Sequence, residues 1–143
     1  MAGTSGVRYF RVEIHSTDGK IKLGRWASFS GGEPTVTIGT AWNGGIKVPD
    51  RTQSRPVYGN ITVGRPFGPV RDRALLRTCV RALGTERKFT ISKQDLDAND
   101  VAVGSSPDVW VNCLLVRVGE PAYAEDDSSP ARWELEFAPQ SRK

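Results

Sequence analysis

One stretch of this chain reads as a helix, and it leaves little for the remainder to be except strands. Val70–Leu83 is entered through Gly68-Pro69 and closed by Gly84, the usual placing of proline at the first turn and glycine past the last. At about 100° per residue, Leu75, Leu76, Cys79, Val80 and Leu83 share one arc. Arg73, Arg77 and Arg81 line another at i, i+4 spacing, so the helix is expected to lie on a sheet with its arginines outward.

The flanking segments alternate with period two. Val7–His15 sets Phe10, Val12 and Ile14 against Tyr9, Arg11 and Glu13. After an Asp18-Gly19 turn, Lys20–Ser30 places Ile21, Leu23, Ala27 and Phe29 opposite Lys22, Trp26 and Ser28, which predicts a hairpin. Val57–Gly64 points Val57, Ile61 and Val63 one way and Tyr58, Asn60 and Thr62 the other. Lys88–Lys93 is a further strand, followed by a polar turn region, Gln94–Pro107. Val109–Val118 is apolar on both faces, with Val111, Cys113 and Leu115 against Trp110, Leu114, Val116 and Val118, and is expected to be central and covered on two sides. Arg132–Phe137 directs Trp133, Leu135 and Phe137 inward and Arg132, Glu134 and Glu136 outward. The expected class is α+β and mostly β, an antiparallel sandwich or partial barrel with one flanking helix.

Residues 33–56 do not fit a compact domain as a structureless loop. TVTIGTAW and GIKV around Asn43-Gly44-Gly45 predict an extended hairpin arm that packs outside its own domain; surface disorder is the competing reading. The 143 residues suit a single domain over 1–143, with mobile parts at about 1–6, at 139–143 and in the acidic loop Glu125-Asp126-Asp127-Ser128-Ser129.

Chemistry is scarce. His15 is the lone histidine, and Cys79 and Cys113 form no CxxC pair, so a metal or redox motif has no support; two buried, reduced thiols are expected, with an inter-subunit disulfide as the sharper alternative. Glu134 and Glu136 could pair as acid and base, but with Arg132 on the same face they read as a polar strand surface. No phosphate-loop, dinucleotide, zinc-protease or serine-hydrolase motif occurs, so neither an enzyme nor a cofactor is expected. MAGTSGVR has neither the basic start nor the apolar core of a signal peptide, and no apolar run spans a bilayer, so cytoplasmic synthesis away from a membrane is expected.

Lys47-Val48-Pro49-Asp50-Arg51-Thr52, followed by Tyr58-Gly59-Asn60-Ile61-Thr62-Val63 and then a helix, resembles the tail tube proteins of contractile phages and related injection systems. Element order agrees from about Val7 to Phe137, although Gln53–Val57 reads as an insertion and Asp50 replaces a frequent glycine. The resemblance implies hexameric rings whose strands join across subunits into one large barrel, stacked as a tube within a contractile sheath. It further implies a virion tail assembled in the host cytoplasm, with tape-measure protein or DNA transiently in the lumen; a secretion machine passing protein effectors is the variant. On that basis Trp42, Asn43, Gly44, Lys47, Pro49, Arg51, Tyr58 and Asn60 are expected at subunit contacts. Arg73, Arg77 and Arg81 are expected to face the sheath protein, and Glu134 and Glu136 are lumen candidates. Two readings of other classes remain beside it. A monomeric nucleic-acid-binding barrel is suggested by a pI near 9.3 and by Trp26 and Trp42, and a small hydrolase would rest on the two glutamates.

Overall fold

Most of the alternating segments join one large antiparallel sheet, and two short strand pairs stand apart from it. The computed structural model describes residues 9–41, 50–97, 99, 106–121 and 131–143. In chain order the elements are β1 (Tyr9–Ser16), β2 (Lys22–Trp26), β3 (Ser28–Gly31), β4 (Pro34–Thr35), β5 (Ile38–Ala41), β6 (Asp50–Gln53), β7 (Val57–Tyr58) and β8 (Ile61–Pro66). Then come α1 (Pro69–Ala82), β9 (Lys88–Leu96), β10 (Asp108–Gly119), β11 (Arg132–Ala138) and β12 (Ser141–Arg142). Eight strands form one sheet in the order β2-β1-β9-β10-β11-β8-β3, with β12 on β10.

The two ends of that order, β2 and β3, are halves of one segment divided at Ala27, whose N–H bonds the Gly64 carbonyl. The expected second strand therefore turns from β1 to β8 midway and draws the sheet round on itself without closing it. The apolar faces of β1, β8, β9, β10 and β11 then enclose one core, where Phe89, Trp133 and Phe137 are fully buried. Burying each such side chain is worth about 1.5–3 kcal/mol before entropy.

Strand directions place the ends at Ser16, Lys88, Gly119, Arg132 and Pro66 together at one end of the sheet. Gly31, Ile61, Ala138 and Asp108 mark the other. Because α1 joins Pro66 to Lys88, it spans the first end, and Leu76 and Cys79 fill the core from there.

Three strands break the alternation. In β2, Gly24 adopts φ +72° and Leu23 is an extra residue against β1, so Leu23 and Trp26 both face inward. Trp26 is 4% exposed, which corrects its expected outward position. In β10, Asn112 takes φ +53° where the register slips against β9, and Trp110 joins Cys113 and Leu115 in the core instead of opposing them. Gly59-Asn60 separates β7 from β8, which leaves Val57 59% exposed while Tyr58 packs on the core. Each extra residue reverses which parity points inward.

Further differences follow from pairing. The helix buries Asp72, Leu76, Cys79 and Ala82, while Val80 and Leu83 are exposed, so its inward arc is rotated from the expected one. Strand β9 continues to Leu96 into the expected turn. Val116 in β10 is 47% exposed, so that strand is not covered on both faces. The tail expected to be mobile is paired instead: Ser141 and Arg142 lie on Val111 and Trp110, and Arg142 bonds Asp108 at 2.7 Å.

Candidate assembly surfaces

The arm is a two-stranded ribbon. Pro34 and Thr35 pair with Tyr58 and Val57, and Ile38–Ala41 pairs with Asp50–Gln53. Between these, Thr37 and Ser54 exchange bonds of 2.9 Å. Ile38 and Thr40 share a face of β5 by parity, with Gln53 and Arg51 opposite them, and Val36 lies two residues before Ile38. Val36 is 41% and Ile38 49% exposed. Arg51 is exposed on β6 and Tyr58 anchors the arm's root to the core. Trp42, Asn43, Gly44, Lys47 and Pro49, and the GIKV segment, lie outside the described residues.

A second surface forms where β8, β10 and β11 meet. Asn60 Nδ2 donates to Glu136 Oε2 at 2.9 Å, and Arg117 reaches Glu136 at 3.3 Å and Glu134 at 3.4 Å. The amide of Asn60 first, and then Arg117, hold the Glu136 carboxyl below the usual range, while the two carboxylates raise Arg117. The structure thus brings Asn60, Glu134 and Glu136 together, and adds Arg117, which their strand pattern had not linked to them. Two carboxylates around one arginine make a paired polar face, and the Glu136 carboxyl is lowered, the opposite direction from the raised acid that glycoside cleavage needs.

The helix row is uneven. Arg77 and Arg81 are exposed, whereas Arg73 is half-buried with its guanidinium 4.8 Å over the Phe67 ring. At the far end of the helix, a shallow depression of about 460 Å³ is lined by Thr17, Asp18, Thr85, Arg87, Lys88 and Asn112. A second one shares Thr85 and Arg87 with it and adds Arg81 and Thr78.

What the sequence reading missed is a buried ion cluster at the helix start. Arg65 on β8 donates to the carbonyls of Leu23 and Arg25, both at 2.8 Å, and to Asp72 at 2.6 Å. Its guanidinium lies 4.2 Å over the Trp26 ring. Arg71 binds Asp72 through Nε and Nη2 at 2.9 and 2.7 Å, and Asp72 also accepts the Gly68 N–H at 2.8 Å. Burial pushes the Asp72 carboxyl up, but Arg71, the Gly68 N–H and Arg65 outweigh it and hold the group below the ordinary range. The cluster fastens the helix entry to β8 and ties off the outer edge of β2, the strand where the sheet fails to close. An acid one turn after Gly68-Pro69 was the available signal.

Solved structures show the same architecture. A chain of the PVC sheath-tube complex, from an extracellular contractile injection system in its extended state, superposes with a TM-score of 0.68 at 13% identity, over 96% of this chain and 88% of that one. A chain of the PVC sheath/tube terminator matches at 0.67 and 16% identity, over 99% and 96%. Hcp protein matches at 0.53 and 8% identity, over 91% and 87%. No family model matches the chain, and no curated protein does. The chain has the tail-tube fold of contractile injection systems, which the short Tyr58–Val63 resemblance anticipated.

Proposed function

We propose that this chain is a non-catalytic structural subunit of a hollow tube, with copies closing into hexameric rings that stack inside a contractile sheath. The observation that carries this reading is the arm: on a chain superposable over almost its whole length on tube proteins, a ribbon displays Val36 and Ile38 to solvent. A two-stranded ribbon with exposed apolar side chains is marginal alone in water, which favours a covering surface supplied by another copy. Arg51, Tyr58 and Asn60, with Trp42, Asn43, Gly44, Lys47 and Pro49, would serve that contact. Arg77 and Arg81, with Arg73, would face the sheath. Glu134 and Glu136 would line the lumen, where carboxylates discourage adhesion of a polyanion.

The neighbours from an extracellular contractile injection system support the injection-system variant, in which the tube would pass protein effectors. The phage resemblance of Lys47–Thr52 and Tyr58–Val63 supports the second reading, a virion tail tube that ejects DNA. The nucleic-acid-module reading loses one of its two tryptophans, because Trp26 is buried beneath Arg65.

Negative-stain electron microscopy with light scattering across a concentration series tests the proposal. Rings or tubes of uniform diameter are the expected result. A monomer at every concentration that binds single-stranded nucleic acid with steep salt dependence would put the other class first.

A further inference from the structure

Two strand edges are open among the described residues, and they match. β3 pairs with β8 on one side and with no described strand on the other. β9 covers β10 only as far as Leu114, opposite Lys88, so residues 115–119 pair with β11 on one side and with no described strand on the other. The outer side of β2 differs, because its Leu23 and Arg25 carbonyls already accept Arg65. Proteins commonly blunt an open edge with proline or lysine. Neither open segment carries one: they read Ser28-Phe29-Ser30-Gly31 and Leu115-Val116-Arg117-Val118-Gly119, and Val116 is 47% exposed.

Both open segments belong to one four-stranded panel, β10-β11-β8-β3. The registers run straight across it. Ser28, Gly64, Glu134 and Gly119 form one row, and Ser30, Thr62, Glu136 and Arg117 form another. These rows face away from the core, since the alternating positions Ile61, Val63, Leu135 and Phe137 are fully buried. The open side of β3 therefore occupies the same rows as the open side of β10, at opposite margins of the panel. The panel also holds an even number of antiparallel strands, so its two margins run in opposite directions. Rotation about a ring axis preserves strand direction, and β3 of one copy would meet β10 of the next antiparallel, continuing the alternation.

We propose that β3 of one copy pairs, antiparallel, with residues 115–119 of a second copy, so that the four-stranded panels join edge to edge. The contact is heterologous, the arrangement that closes into a ring when repeated. It rests on the tube reading and names the joint that carries one subunit's sheet into the next. The bodies of the copies must lie outside a hollow tube, and each body packs on the panel's apolar face. The rows bearing Glu134, Glu136 and Arg117 then turn to the channel.

The test is disulfide cross-linking across the joint. Ser30 and Arg117 are exposed and share a row, but within one copy they stand three strand spacings of about 4.8 Å, or about 14 Å, apart, beyond the reach of a disulfide. Across the joint they would be neighbours at about 4.5–5.5 Å. A chain carrying Ser30→Cys and Arg117→Cys, assembled and then oxidised, is expected to give a ladder of covalent oligomers on a denaturing gel, while either single variant gives nothing larger than a dimer. Ser28→Cys with Arg117→Cys, and Ser30→Cys with Gly119→Cys, sample the joint displaced along the strand in either direction, and the last pair leaves Arg117 in place. Cys79 and Cys113 are buried and do not contribute. A ladder from any of the three pairs supports the joint. Rings that yield no ladder from any pair overturn it and leave the tube reading standing. If the unaltered chain forms no ring at all, the tube reading itself fails, a result separate from the cross-linking outcome.

Discussion

Asp72 shows what a single residue decides in this fold. It is fully buried and takes bonds from Arg65, Arg71 and Gly68, so removing it leaves the Arg65 guanidinium, whose side chain is only 5% exposed, with two carbonyl acceptors but no buried counter-charge. Breaking one side of such a pair costs about 3–5 kcal/mol, and Asp72→Ala should lower stability in urea by that amount. The pH dependence follows from the direction of its shift. A carboxyl held below its ordinary value near 3.8 stabilises the fold at higher pH, and that contribution is lost as pH falls through the lowered folded value. Asp72→Asn should flatten this acid-side decline in a urea series run from pH 5 downward. The buried thiols give the opposite kind of test. Desolvation pushes Cys79 up to about 11 and Cys113 to about 12, so neither should react with iodoacetamide at pH 8 until the chain is unfolded. Free buried thiols were legible in the sequence from the absence of any pairing motif. Asp72 was not, because a lone acid among arginines looks like solvated charge until Arg65 is seen beneath it.

At the scale of elements, legibility tracks regularity. Strand β11 has no extra residue on its own side, and Trp133, Leu135 and Phe137 face inward as alternation requires. Strands β2 and β10 carry extra residues, so a parity count started at either end fails beyond Gly24 or Asn112. Trp26 and Trp110 were therefore placed on the wrong face, because parity is lost at a left-handed residue that composition does not flag in Asn112. The helix was found within a residue at each end, since proline and glycine punctuate it; its rotation was not, since burial of Asp72 and Ala82 is a property of the partners. Gly31 makes a test at this level. It lies at φ +93°, and a Cβ there would collide with the Asn60 carbonyl in the β3–β8 ladder. Gly31→Ala should cost about 2 kcal/mol or more. Gly19→Ala, at φ +78° in open space, should cost about 1 kcal/mol from backbone strain alone. Equal thermal midpoints for the two variants would contradict the ladder described here.

At the scale of the whole molecule, the helix spans one end of the sheet and the arm leaves the other, joining Gly31 to Ile61. This polarity separates the demands of folding from those of assembly. Residues that fold the chain, such as Trp133 and Arg65, are buried; those on the arm's apolar face are not. Val36→Asp with Ile38→Asp should thus leave monomer stability within about 0.5 kcal/mol, as for surface changes that remove no internal contact. If the arm meets a second copy, the same two carboxylates would have to be buried there without partners, at a cost large enough to abolish association. The expected pairing of results is an unaltered urea midpoint together with loss of rings in light scattering and electron microscopy. Loss of the urea midpoint would instead mean that the arm packs on its own chain, and retained rings would mean that its apolar face is not the one that meets a neighbour.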